Sequence, residues 1–263
     1  MKITIIGAGN MGGAIARGLA SGSIVDAKDI TVTAHTQKTL DKLAADIPSI
    51  NTTLNNPEAA KGADIIMLAI KPWLIKGIID EIKPVLDLSK QIIVSIVAGV
   101  SFDDMKVMFG DDNVAMFRVI PNTAISIKQS PTIMSCCNTS DSQVEYVKSL
   151  FNELGEAFIL EERLMAAATA VTSCGIAYAF EYIKAAIQAS IELGLYPRVA
   201  KSMINQTVAG AAALLEANGT WPEEEIYKVC TPGGITIKGL NEMAAQGFDH
   251  AVISGLKKAA GKI

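Results

Sequence analysis

The sequence predicts an α/β fold in which an N-terminal Rossmann-type domain with a mostly parallel sheet precedes a C-terminal all-helical domain. Short apolar, β-branched runs alternate with helical patterns through the first part of the chain. A glycine-rich turn follows the first of these runs. From Arg163 onward, strand patterns give way to long alanine-rich helical patterns. We therefore predict domains at residues 1–161 and 162–263.

The first element, residues 3–6, is a β-rich apolar run that stops at Gly7-Ala8-Gly9, and a helical pattern covers residues 14–20. Gly7, Gly9 and Gly12 have the spacing of a dinucleotide-binding turn. Such glycines permit the turn, the approach of a pyrophosphate and close packing of helix against strand. The alternative is a turn without a ligand.

Residues 29–34 predict a second strand, and residues 35–38 follow it as His-Thr-Gln-Lys. An NAD site usually has a carboxylate here to bind the ribose 2′-OH. Its absence favours NADPH over NADH, with His35 and Thr36 as cofactor-binding candidates. The alternative is an ordinary helix start capped by Thr36 or Thr39.

Residues 63–70 form a nearly continuous apolar run, which is typical of a parallel strand covered on both faces. The run ends at Lys71-Pro72, and Pro72 prevents its continuation. Ligands of open α/β sheets bind at the carboxyl ends of strands. Lys71 is accordingly either a cofactor-groove residue or a solvated loop lysine.

The remaining patterns complete the two domains. Small residues on several faces of the C-terminal helices predict packing against a second copy of the chain. We predict strands at residues 91–98, 113–119 and 157–160, with an optional strand at 130–136. We predict helices at 40–45, 75–86, 102–108, 142–154, 198–217 and 222–229, a polar connection at 48–56 and an apolar stretch at 165–189.

The composition excludes several classes of partner. A net charge of −4 gives no general attraction to nucleic acid or an anionic membrane. No apolar run approaches the ~20 residues of a membrane span, and Met1-Lys2 leads directly into a strand, without a signal peptide. The four cysteines have no metal-ligand or redox spacing. We expect a cytoplasmic protein without a metal site.

A second glycine-rich loop lies far from the first. Residues 231–236 read Thr-Pro-Gly-Gly-Ile-Thr, and a helical pattern restarts at about Ile237. Several backbone N–H groups in such a loop suit a carboxylate. A simple interhelical turn with a threonine cap is an equal alternative at this point.

Five segments together make the chain resemble the pyrroline-5-carboxylate reductase family over essentially its whole length. The Gly-Gly loop is the most specific, since it matches the family signature far from the nucleotide motif. The segments are GAGNMG at 7–12, AIKP at 69–72, RVIPNT at 118–123, SCGIAY at 173–178 and TPGGIT at 231–236.

The resemblance implies an enzyme that reduces a cyclic imine to L-proline with NADPH or NADH, the final step of proline biosynthesis. It implies a homodimer, which can assemble into larger rings such as a decamer, with the helical domain of one subunit completing the site of its partner. It also implies cofactor contacts. These come from Gly9, Asn10 and Met11 at the phosphates, Asn56 at the adenosine ribose, and Ala69 and Lys71 in the groove.

The substrate carboxylate is expected to bind Gly234, Ile235 and Thr236, largely through backbone N–H groups, with the Thr236 hydroxyl near the ring. Thr231 replaces the family's usual serine and keeps its hydroxyl. Ile120 replaces methionine and keeps its bulk. Ile176 replaces proline, which leaves room for an altered substrate range.

Reduction of a C=N bond needs a hydride donor, a proton for nitrogen and an orienting site. The proton is either already on the imine or arrives through water or Thr236. One rival is another NADP-dependent imine reductase, or a 3-hydroxyacid reductase, for which Lys184 is the sole lysine of the first long helical stretch. Another is a non-catalytic NADP-binding sensor of proline or a similar carboxylate.

Overall fold

The computed structural model describes residues 1–261, in which the first of two compact units spans Met1–Ser173 and the second begins at Cys174. The strands are β1 (Ile3–Ile6), β2 (Ile30–Thr33), β3 (Asn51–Thr53), β4 (Ile65–Leu68), β5 (Ile92–Ser95), β6 (Met116–Ile120), β7 (Ser130–Cys137) and β8 (Gly155–Ile159). The helices of the first unit are α1 (Asn10–Ala20), α2 (Gln37–Asp46), α3 (Asn56–Ala60), α4 (Ile75–Ile82), α5 (Phe102–Phe109), α6 (Asp141–Asn152) and α7 (Met165–Thr169).

All eight strands form one sheet in the order β3-β2-β1-β4-β5-β6-β7-β8. The first six are parallel, whereas β7 is antiparallel to β6, and β8 is parallel to β7. The predicted Rossmann-type, mostly parallel sheet is confirmed. Since β2 and β4 flank β1, their carboxyl ends lie beside the glycine-rich turn.

Helices cover both faces of the centre of this sheet, which is why β1, β4 and β5 are fully buried and mostly apolar. Successive side chains of a strand point to opposite faces. In β1, Ile5 belongs to the core cluster that contains Ile15 of α1 and Phe151 of α6. Its neighbour Ile6 belongs to the second cluster, with Ile79 of α4.

The segment predicted as a polar connection at residues 48–56 contains β3 and the start of α3, so that prediction is wrong. β3 is a three-residue edge strand of sequence Asn-Thr-Thr and is partly exposed. It has neither an apolar alternation nor a buried run. Pairing with β2, rather than its own pattern, makes this segment a strand.

The second unit is entirely helical in its described part. Only Ala200 is buried there, while large apolar side chains such as Phe180, Met203 and Ile253 are more than half exposed. A single chain thus leaves these helices with little core of their own. A five-residue π-helix (Ala170–Cys174) precedes the helices of this unit. These helices are α8 (Gly175–Glu192), α9 (Pro197–Asn218), α10 (Pro222–Val229), α11 (Ile235–Ala245) and α12 (Phe248–Ala260).

The division after Ser173 falls later than residue 161 because α7 still packs on the sheet. Met165 lies in a small core cluster with Ile120 of β6 and Ile133 of β7. The boundary at residue 161, predicted from the end of the strand patterns, stays a prediction.

One helical segment, Glu162–Glu192, is long and apolar enough to cross a membrane by length and composition, since an 18-residue window within it has a mean hydropathy of 1.3. This corrects the expectation that no segment approaches that length. Glu181 and Lys184 interrupt the strict apolar run and pair with each other at 2.5 Å. Composition alone does not separate such a segment from a helix that packs against protein.

Candidate functional site

The turn after β1 needs glycine at two of its three glycine positions. Gly7 has φ +106°, and a Cβ there would lie 2.5 Å from the Ala69 carbonyl oxygen. A Cβ on Gly12 would collide with the Gly7 carbonyl oxygen. These close approaches bring β1, α1 and the end of β4 together.

Gly9 has a different role from its two neighbours. Nothing lies within 4 Å of the position of a Cβ on this residue, and its φ of −69° is ordinary. It is the N-cap of α1, whose first turn reads Asn10-Met11-Gly12 and has no carboxylate. The open space and the free N–H groups of this helix end fit the pyrophosphate of a dinucleotide.

The end of β2 lies against this turn. The backbone N–H groups of Gly7 and Ala8 both donate to the Thr33 carbonyl oxygen, at 3.1 and 2.8 Å. His35 and Thr36 follow and are exposed. Thr36 is the N-cap of α2, but its Oγ1 lies 2.9 Å from Thr39 Oγ1 rather than on a helix N–H group.

The end of β4 contributes Ala69, Lys71 and Pro72. The Ala69 N–H donates to the Ile6 carbonyl oxygen at 2.9 Å, which fixes this end beside β1. Lys71 is exposed at the start of a short turn in which Pro72 is the first helical residue. Gly7, Gly12 and Ala69 are therefore packed against one another, and Lys71 follows Ala69 by two residues.

Asn56, predicted at the adenosine ribose, has an acidic partner. Its Nδ2 donates to Glu81 Oε2 on α4 at 3.0 Å. Because a carboxylate only accepts, this contact orients the amide and leaves Oδ1 as an acceptor. Sequence patterns did not identify Glu81, since the pair depends on packing between α3 and α4.

The second glycine loop ends two residues before the predicted restart of the helix. Gly234 is the N-cap of α11, so Ile235 and Thr236 are in its first turn, which corrects the start at Ile237. The Gly234 N–H donates to the Thr231 carbonyl oxygen at 2.9 Å, and Gly233 has φ +70°. A helix N-terminus without an acidic first turn suits an anionic group.

A charged network lies on the helix before this loop. Glu225 Oε1 accepts from Lys228 Nζ at 2.7 Å, Thr220 Oγ1 at 2.6 Å and Asn218 Nδ2 at 3.1 Å. The Lys228 bond, followed by those from Thr220 and Asn218, lowers the pKa of Glu225 to about 2. The network joins the end of α9 to α10.

Two further segments of the family resemblance meet at the π-helix. Asn122 Nδ2 donates to the Thr172 carbonyl oxygen at 3.2 Å, and Ser173 Oγ donates to the Pro121 carbonyl oxygen at 3.1 Å. A π-turn frees backbone carbonyls and is frequent at functional sites. The turn forms although Ile176 stands where the family has proline.

No cluster of three or more metal-ligating side chains occurs among residues 1–261. The four cysteines are free thiols. Lys184, the candidate base of a hydroxyacid reductase, is 57% exposed and is ion-paired with Glu181. Its charge is thus already compensated by a neighbour on the same helix.

Two protein-family models match the chain. The model described as pyrroline-5-carboxylate reductase dimerisation matches residues 162–263. The model described as coenzyme F420-dependent NADP oxidoreductase matches residues 2–99.

Several pyrroline-5-carboxylate reductases match nearly all of this chain. Pyrroline-5-carboxylate reductase 1 of Dictyostelium discoideum is 34% identical over 99% of this chain, which spans 49% of that longer protein. Pyrroline-5-carboxylate reductase 2 of Bacillus subtilis is 32% identical over 98% of this chain and 92% of its own. Plasmodium falciparum pyrroline carboxylate reductase, solved with NADP bound, is 27% identical. It superposes with a TM-score of 0.88, covering 100% of this chain and 96% of its own.

Proposed function

The chain belongs to the pyrroline-5-carboxylate reductase family, and on that premise we propose that it reduces 1-pyrroline-5-carboxylate to L-proline with NADPH or NADH. It is an oxidoreductase that acts on the C=N bond of a cyclic imine. The single observation that carries this assignment is the match to the Bacillus subtilis reductase, which covers 98% of this chain and 92% of that protein. The glycine-rich turn and the Gly-Gly loop supply the corresponding local chemistry.

The first unit binds the dinucleotide in this proposal. Gly9, Asn10 and Met11 donate backbone N–H groups to the pyrophosphate, since the first turn of α1 has no other acceptor for them. Asn56 Oδ1 accepts from the adenosine ribose. Ala69 and Lys71 line the groove toward the nicotinamide, which supplies the hydride when bound.

The second unit binds the substrate carboxylate. The backbone N–H groups of Ile235 and Thr236 lie in the first turn of α11, which has no side-chain cap. The Gly234 N–H is already bonded to the Thr231 carbonyl oxygen at 2.9 Å, so Gly234 contributes the shape of the turn and Ile235 and Thr236 contribute the donors. Thr236 is half-buried, and its hydroxyl would hydrogen-bond the ring nitrogen, while the proton that the nitrogen needs is already on the imine or comes from water. Orientation and this electrostatic contact are the protein's contributions to the reaction.

The active form in this proposal is a homodimer. The dimerisation family model and the half-exposed apolar side chains of α8, α9 and α12 both support it. Phe180, 59% exposed in one chain, is a central candidate. Light scattering is expected to give a dimer mass or a multiple of it, and Phe180→Asp to lower that mass. A monomer for the natural sequence would refute the assembly. The ring-like decamer stays a prediction.

We propose that the enzyme is cytoplasmic, because its four free thiols are compatible with a reducing compartment. The proposal includes neither nucleic acid nor membrane as a partner. We propose NADPH as the preferred cofactor, because residues 35–38 contain no carboxylate to bind the ribose 2′-OH of NADH.

The purified chain with 1-pyrroline-5-carboxylate is expected to consume NADPH faster than NADH. A parallel reaction with the keto form of a 3-hydroxyacid tests the rival reductase, and binding of proline without turnover would indicate the sensor. Absence of imine-dependent oxidation of either cofactor would refute the proposed function.

A further inference from the structure

A groove of about 580 Å³ lies between α1 and α2 and has a cationic lining that the proposed site does not use. Gly9 and Asn10, at the amino end of α1, line its first part. Its charged lining consists of Arg17 of α1 and Lys38 and Lys42 of α2, and the rest of the lining is uncharged. The groove therefore starts at the pyrophosphate-binding residues and continues into a cluster of three cations.

Two of these three charges are uncompensated. Arg17 Nη2 pairs with Asp46 Oδ2 at 2.7 Å, which neutralises the guanidinium. Lys38 and Lys42 are four residues apart on one helix face, where like charges repel each other. Within residues 1–261, neither lysine has a carboxylate at ion-pair distance. An anion in the groove would relieve this repulsion.

We infer that Lys38 and Lys42 bind the 2′-phosphate of NADPH and thereby determine its preference over NADH, an inference that rests on the proposed function. The end of β2 is hydrogen-bonded to the turn proposed for the pyrophosphate, so the adenosine ribose of a bound dinucleotide would lie next to the start of α2. A lysine is a flexible point charge suited to a phosphate. The two lysines supply the positive charge that residues 35–37 lack.

Glu81 is the group that could produce the opposite preference. Its carboxylate holds Asn56 at 3.0 Å, and a carboxylate beside the ribose is the feature that favours NAD over NADP. Cofactor preference therefore depends either on the two lysines, Lys38 and Lys42, or on Glu81. Substitution of each side chain separately distinguishes them.

The test is direct titration of NADPH, and separately of NADH, into the purified full chain. The change in cofactor fluorescence gives the dissociation constant of each cofactor. Lys38→Gln and Lys42→Gln are each expected to raise the dissociation constant for NADPH by about tenfold. The value for NADH should change by less than about twofold, and added salt should shrink the difference between the cofactors. Lys2→Gln is the control, because it removes the same charge at the amino end of β1.

Equal weakening of both cofactors, or no change in either, would overturn the inference. A preference that changes only in Glu81→Gln would also overturn it and would assign discrimination to Asn56 and Glu81. Because titration needs no turnover, a protein that fails to reduce the imine can still show lysine-dependent NADPH binding. That outcome refutes the proposed function and supports the phosphate site.

Discussion

Glu162 and Arg118 form an ion pair in which Arg118 Nη1 donates to Glu162 Oε1 at 2.7 Å. The same carboxylate oxygen accepts the backbone N–H of Phe102 at 2.8 Å. Glu162 thus connects β6, the first turn of α5 and the turn that leads into α7. The Arg118 side chain is only 11% exposed.

Replacement of Glu162 by Ala is expected to lower the free energy of unfolding by about 2 kcal/mol, because it leaves a mostly buried guanidinium unpaired. The Glu162 side chain is 35% exposed, which keeps the effect below that of a fully buried pair. Urea denaturation measures it. Glu161→Ala breaks an exposed pair with Arg163 and should cost less than about 0.5 kcal/mol. Equal effects of the two substitutions would contradict this role.

The glycines of the first turn are expected to separate folding from cofactor binding. Gly9→Ala meets no steric obstacle and should lower the free energy of unfolding by at most about 1 kcal/mol, as for a poorer N-cap. It places a methyl group where the pyrophosphate approaches, so we expect NADPH affinity to fall about tenfold or more. Gly12→Ala should instead destabilise the cofactor-free protein by several kcal/mol, ~3 or more. Thermal melting and titration together measure both effects, and a reversed order of stabilities would refute the assignment.

Thr236 is expected to affect turnover far more than folding. Thr236→Val keeps the shape of the side chain and removes its hydroxyl, and kcat should fall about a hundredfold if the hydroxyl serves the imine nitrogen. Thr236→Ser should recover most of this loss, while all three proteins melt within a few degrees of one another. Unchanged kinetics of Thr236→Val would show that this threonine has a structural role.

Glu225 is expected to give the second unit an acid-sensitive step. Its pKa, about 2 in the folded protein, lies below the ordinary 4.5, so the unfolded chain binds its proton first. The stabilisation from Glu225 is present above pH 4.5 and is lost as the pH falls toward 2. Relative to the natural sequence, Glu225→Gln should melt earlier at pH 6, and this difference should shrink toward pH 2. Glu223→Gln, on the first turn of the same helix, is the control. A difference that stays constant with pH would contradict the prediction.

Local sequence patterns predicted most of the first unit because each pattern has one dominant physical cause. Continuous apolar runs such as residues 63–70 need cover on both faces, and Gly7 and Gly12 occur where a Cβ does not fit. β3 was not predicted because three partly exposed polar residues acquire strand geometry only from their neighbour β2.

The side-chain relationships around the site required the structure. Glu81 meets Asn56, and Glu162 meets Arg118, across long separations in sequence that helix packing determines. Lys38 was noted from the sequence only as part of a segment without a carboxylate. Its alignment with Lys42 along a groove that starts at Gly9 depends on how α1 and α2 pack.

The most direct test of the account is reduction of 1-pyrroline-5-carboxylate by the purified chain with NADPH that carries deuterium at its transferable position. The hydride adds to the imine carbon, which becomes the δ-carbon of proline. We expect L-proline with one deuterium at that carbon, formed in step with cofactor oxidation. Absence of proline, or proline without the label, would contradict it.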